Sequence, residues 1–405
     1  MDKHDLFQAY FDACDSVTEE DAHPLFGGGA VPDGAVGLTG IEAQPVFTLP
    51  EALALLEDEE LMLAIELYDL SDEAELGLEA LNREQLLARA TEVLSNPAIH
   101  EINLRSIPAI SREHYLWLAR EGVYEHPLDQ AAEDMRRILE ADDEAEIQRI
   151  VSNMERGATI EALAGEMLVF PFVHDDLVTF VMPNEIREAC LSVATEEFLA
   201  YAEAVELATA YIDAATNLYG VIAVEDVIDL MAAYEPGIDA AAAADLVVEA
   251  LEINQLWPRS IENGFVAHEL FREGVGLGEQ MAFELLSIAA ETPRYQPDRE
   301  TFLSYSYPDF DEENFEAELL YELLVDLYPD SDVDEAFQMV QFVQQCARQG
   351  MRNEIIVESL FEDMLPQPLA NEGQASLLIK QIAKLVHTTR TWAFNGHSPE
   401  EVEQK

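Results

Sequence analysis

Carboxylates outnumber basic side chains 82 to 21 in this 405-residue chain, a formal net charge of −61, and that surplus limits how the chain can fold. A charge buried without a partner is costly, so nearly every acidic side chain must face water while the apolar residues, 49% of the total, gather on opposite faces. Glutamate exceeds aspartate about two to one and recurs along helical faces, the pattern of solvated amphipathic helices. The apolar share excludes global disorder. At roughly 100–200 residues per domain, a chain of this length divides into about two to four units.

The same surplus restricts partners. Binding DNA or RNA draws on Lys and Arg displacing condensed counterions, so a surface this acidic should repel nucleic acid and anionic membranes. No stretch approaches the roughly 20 apolar residues that span a bilayer, and residues 1–10 are too polar for a signal peptide. A cytoplasmic protein is therefore expected. Cys14, Cys190 and Cys346 are scattered and odd in number, which predicts reduced, buried thiols and neither a disulfide framework nor a thiolate zinc site.

The periodicity divides the chain into five parts. Residues 1–49 read as a short helix and a linker containing Gly27-Gly28-Gly29; no Gly-Lys-Ser/Thr follows, so no phosphate loop is expected there. Residues 50–127 read as a helical module, with a capping box at Asn82 and Gln85 and a closing His126-Pro127. Residues 128–195 begin with a helix over 128–154 and a second short one near 159–163. They end in a period-two hairpin, residues 168–182, whose Pro171 belongs on an edge strand. Residues 196–293 repeat the arrangement: a long helix stopped at Gly220, helices over 224–234 and 239–253, and a hairpin near 257–269 turning at Asn263-Gly264. Residues 294–405 are helical, with a stop at Asn395-Gly396 and a capping box at Ser398 and Glu401. The expected fold is mainly α: a multi-module helical protein with two small winged-helix-like units, each ending in a β-hairpin.

The stretch Thr388-Thr389-Arg390-Thr391-Trp392-Ala393-Phe394-Asn395-Gly396-His397-Ser398-Pro399-Glu400-Glu401 resembles a segment that, in many bacterial proteins, precedes a SEC-C zinc-binding tail. Leu218-Tyr219-Gly220-Val221-Ile222 and the hairpin ending in Met182-Pro183-Asn184-Glu185-Ile186 are similar to the same proteins, and residues 81–94 resemble the small helical module at the N-terminus of transcription termination factor Rho. The resemblance implies an architecture more than an activity. No cysteine follows Cys346, so the zinc role of that tail does not carry over.

Individual residues add little chemistry. The candidate reading helix, 239–253, offers Asp245, Glu249 and Glu252 and no basic residue, whereas base and phosphate contacts need donors. Arg136, Arg137, Arg149 and Arg156 lie among acidic neighbours and are expected to form structural ion pairs. His268-Glu269 lacks the second histidine of a zincin, His174 reads as part of a hairpin turn, and His397 as part of a helix stop. Neither a nucleophile elbow nor a catalytic cysteine surround is present. Residues 348–405 are nearly charge-balanced, with six basic side chains against eight acidic ones, and Lys380, Lys384, Arg390, Trp392 and His397 form the candidate interaction surface there, able to dock on the acidic body, a second copy or a partner.

The reading is a non-enzymatic protein-interaction or regulatory scaffold with a protein partner and no cofactor, metal or direct nucleic-acid contact. Two alternatives stand beside it: an acidic nucleic-acid mimic that inhibits a DNA- or RNA-binding protein, and a metal-dependent hydrolase using buried carboxylates.

Overall fold

The computed structural model describes residues 40–68, 77–127, 134, 136–138, 143–175, 177–253, 260–261, 264–271, 278–307, 310–329 and 333–404. The expected N-terminal helix, the triple-glycine linker, Cys14 and Asn263 lie outside them. The chain forms two compact units, dividing between Glu206 and Leu207.

The first unit opens with helices α1 (Leu49–Leu53), α2 (Asp58–Tyr68), α3 (Arg83–Leu94), α4 (Pro97–Ser106) and α5 (Ala109–Glu121). Asn82 starts α3 with the expected capping box, its side chain accepting from the Gln85 amide at 3.1 Å while Gln85 accepts from the Asn82 amide at 3.0 Å. Arg83 reaches back to Asp58 at 2.5 Å and to the carbonyls of Ala54 and Leu56, fastening the α1–α2 corner to the start of α3. Asn96-Pro97 starts α4, with Asn96 as cap and proline in the first turn.

Strand β1 (Val123–Pro127) follows, then helix α6 (Glu144–Gly165) and the hairpin β2 (Phe170–His174) and β3 (Leu177–Val181). The sheet is antiparallel in the order β1-β3-β2, with Val123 opposite Val181 and Phe170 opposite the same residue. Pro171 thus sits on an edge strand as expected, and Ile41 bonds to that edge through Pro171 O and Val173 N. Two readings need correction. His126-Pro127 does not merely close a helical module: it completes a strand, because the 123–127 segment finds its ladder partner far along the chain. The helix expected to break before residue 159 runs unbroken through Gly157, since a lone helical glycine costs only about 1 kcal/mol relative to alanine.

Helix α7 (Asn184–Val193) completes this unit. Leu53, Leu61, Leu94, Tyr115, Phe170, Phe172 and Ile186 belong to one buried cluster, so residues 50–127 and 128–195 share a core. His100 is fully buried in it. Its Nδ1 accepts from the Tyr115 hydroxyl at 2.7 Å and its Nε2–H donates to the Leu94 carbonyl at 3.0 Å, while burial lowers its pKa to about 4.

Helix α8 (Glu196–Tyr219) carries the chain into the second unit. There Gly220 at φ 77° ends it, a conformation that favours glycine. Strand β4 (Val221–Ala223), helices α9 (Val224–Tyr234) and α10 (Ala240–Ile253), and strands β5 (Ser260–Ile261) and β6 (Phe265–Ala267) follow. The sheet order is β4-β6-β5, antiparallel, again with the first strand beside the last. Helices α11 (Gly278–Ala289), α12 (Arg299–Ser304), α13 (Phe315–Leu327), α14 (Val333–Arg348), α15 (Asn353–Ser359), α16 (Glu372–Thr388) and α17 (Pro399–Glu403) complete the described part. Leu320, Leu324, Val343, Ile356, Leu360, Leu378 and Ile382 form the buried seam of the C-terminal bundle. No helix among the described residues is long and apolar enough to cross a membrane.

Candidate functional site

The five residues picked from sequence do not share one exposed face. Trp392 is only 2% exposed. Its indole donates to the Asn217 carbonyl at 2.9 Å, and it lies against Phe271 and His268. A β-carbon on Gly220 would stand 2.6 Å from the Trp392 ring, so glycine at the end of α8 is what lets the indole settle. A β-carbon on Gly396, at φ 83°, would stand 3.1 Å from the Tyr219 ring. The two segments singled out by resemblance, 218–222 and 388–401, are therefore packed on each other.

Arg390 is a hub. Its Nε and Nη2 donate side-on to the two Glu312 oxygens, each at 2.8 Å; Nη1 donates to Glu401 at 3.0 Å and to the Gly396 carbonyl at 3.2 Å. The guanidinium lies 3.4 Å over the Tyr295 ring. Glu312 also accepts from the hydroxyls of Tyr295 and Tyr305, each at 3.1 Å, and burial, reinforced by Glu312, pushes the Tyr295 phenol up to about 12. His397 sits 2.9 Å from Glu401. Burial works to raise the Glu401 carboxyl, but the hydrogen bond from His397 and the charge of Arg390 hold it below the usual carboxylate range. Every charge in this clasp is answered within the chain. Only the lysines remain outward: Lys384 reaches Glu316 at 3.4 Å, and Lys380 is exposed.

Beside the clasp lies a groove that sequence reading missed. A cavity of about 520 Å³ runs between α13 and α14 over a floor of Ala317, Tyr321, Phe337 and Val340. A second, of about 320 Å³, adjoins it and shares Glu313, Asn314 and Gln344. Phe337 is 54% exposed there, far more than an aromatic ring of a packed core. Glu313, Glu318 and Glu322 border the larger cavity and pair with no cation among the described residues. Asp311 is differently placed, held by Arg348 at 2.5 Å. Gln344 is 7% exposed and borders both cavities, yet its side-chain amide bonds to no described residue; a buried amide usually has a partner. The helical spacing of Glu318, Tyr321 and Glu322 was the only available signal, and in a chain this acidic it was indistinguishable from a solvated face.

Other candidates resolve into structural roles. His174 bonds to the Thr179 hydroxyl at 2.9 Å; its turn neighbour Asp176 lies outside the described residues. Cys190 and Cys346 are buried thiols outside any disulfide, and burial pushes the Cys190 thiol up to about 12, where it is inert. Among the described residues no group of three or more His, Cys, Asp or Glu side chains is placed to hold a metal ion. No family model, curated protein or solved structure matches this chain.

Proposed function

We propose that this protein is a non-enzymatic docking scaffold that holds a basic, amphipathic polypeptide segment in the groove between α13 and α14. The observation that carries this is the groove's composition: an apolar floor with a half-exposed Phe337, bordered by Glu313, Glu318 and Glu322 with no cation lining the larger cavity. Apolar side chains of the partner would cover Tyr321 and Phe337, its Lys or Arg side chains would meet the three carboxylates, and the Gln344 amide would take a backbone group. Interface energy of this kind concentrates on a few aromatic anchors, while the charges set orientation and rate.

The two sheet units fit the same reading. Each joins a helix, a first strand, further helical residues and a hairpin whose last strand pairs with the first, the order of a winged-helix-like unit. In the second unit the reading helix α10 carries Asp245, Glu249 and Glu252 and no Lys or Arg. A phosphate backbone gains nothing there, so we read these units as surfaces for polypeptide and for no nucleic acid.

The test is a titration of two labelled helical peptides with the same leucine spacing, one bearing lysines and one bearing glutamates. The lysine peptide should bind saturably, lose affinity at least about tenfold against Phe337→Asp, and outcompete the glutamate peptide. Absence of lysine-peptide binding, or equal binding by Phe337→Asp, would refute the reading.

A further inference from the structure

In the first unit, α5, α6 and the beginning of α8 line an open cavity of about 500 Å³, within the usual range of small-molecule sites. Its lining reverses the balance of the chain. Arg112, Arg120 and Arg156 border it together with His114 and Trp117, against two carboxylates, Glu113 and Glu203.

These arginines differ in how they are satisfied. Arg112 is 4% exposed and built in: it donates to the carbonyls of Leu104 at 2.7 Å and Ile107 at 3.0 Å and to Glu206 at 3.0 Å. Glu206 also accepts from the Ala109 amide at the start of α5, at 2.9 Å, so a protein carboxylate already answers that helix end and that guanidinium. Arg120, which is exposed, and Arg156, which is half-buried, have no such answer. Neither makes an ion pair or a side-chain hydrogen bond with any described residue. Arg156 lies 4.7 Å from the centre of the Trp117 ring, and its Nε is closed off from solvent without an acceptor. His114 is 5% exposed, with Nδ1 set 3.2 Å from Thr159 Oγ1. Thr159 gives its own proton to the Glu155 carbonyl, so Nδ1 carries the hydrogen and Nε2 is left over.

We propose that this cavity binds a small phosphorylated molecule, its phosphoryl group held by Arg120 and Arg156 beside Trp117. Two guanidiniums without counter-charges favour a doubly charged oxyanion, which accepts from both forks at once. The 82 carboxylates of the chain fill the Arg112 position but not these two, although exposed Glu113 and Glu203 border the same cavity. At physiological ionic strength the field of distant carboxylates is screened beyond about 8 Å, so a contact ligand senses mainly the lining.

Trp117 provides the readout. Pyrophosphate titrated into the full chain at physiological ionic strength should change tryptophan fluorescence saturably, and Trp117→Phe should abolish the change while calorimetry still detects binding. Arg156→Gln and Arg120→Gln should each weaken pyrophosphate at least about tenfold, with Arg156→Lys falling between. A mononucleotide and a phosphoserine peptide distinguish the sources: the proposal expects the nucleotide to match or exceed pyrophosphate, and a preference for the peptide would overturn it. No saturable heat at millimolar pyrophosphate, or unchanged affinity in a folded Arg120→Gln/Arg156→Gln double variant, would equally overturn it.

Discussion

Arg390 and Arg156 are both partly buried arginines lying over an aromatic ring, Tyr295 in one case and Trp117 in the other, and they end in opposite states. Arg390 meets Glu312 and Glu401 and donates to a carbonyl as well. Arg156 meets no carboxylate among the described residues, although the chain has four for each basic residue. In so acidic a protein an ion pair carries little information; a guanidinium left without one carries more. The contrast separates a residue that closes the fold from one held ready for something outside it. His100 shows a third outcome: a buried base without a carboxylate that sheds its proton, which arginine cannot do.

The largest effect should come from the clasp's anchor. Trp392→Ala leaves a cavity over Gly220 and an unanswered Asn217 carbonyl, and should cost about 3–5 kcal/mol in chemical denaturation. Arg390→Gln strands Glu312 and Glu401 in a partly closed site and should cost about 3 kcal/mol; a neutral result would dissolve the contrast with Arg156. His100 should act through pH. Its folded pKa of about 4 lies below the unfolded value of about 6.5, so the unfolded state takes up a proton that the folded state refuses. Stability is therefore lost as pH falls from about 6.5 to 4, by about 3 kcal/mol in all, and His100→Gln should lack that component of the slope. Arg156→Gln should be the mildest, within about 0.5 kcal/mol, since no ion pair is broken.

What sequence could show followed the range of each interaction. Asn82 with Gln85 and Ser398 with Glu401 were legible because a capping box closes within four residues. The 170–181 hairpin announced itself by period two. Strand β1 was missed because its ladder partner is supplied by the later hairpin, and α6 was read as two helices, over 128–154 and near 159–163, where the chain forms one across Gly157. Arg390, Trp392 and His397 were chosen for a surface since a linear pattern does not show that Glu312, Asn217 and Glu401 enclose them. Ion pairing was expected for Arg137, Arg149 and Arg156 alike. The first two do pair, both with Glu146, while Arg156 turns to Trp117, a residue of a different helix. The α13–α14 groove was invisible for a related reason: its carboxylates look like any solvated face until Phe337 is placed among them.

The most direct check is the thermal midpoint of Arg390→Gln and Arg156→Gln measured side by side without ligand. The account predicts a drop of about 6–12 °C for the first, from about 3 kcal/mol in units near 200 residues, and a change within about 2 °C for the second. Equal losses would contradict it, because Arg156 would then be holding the fold together as Arg390 does.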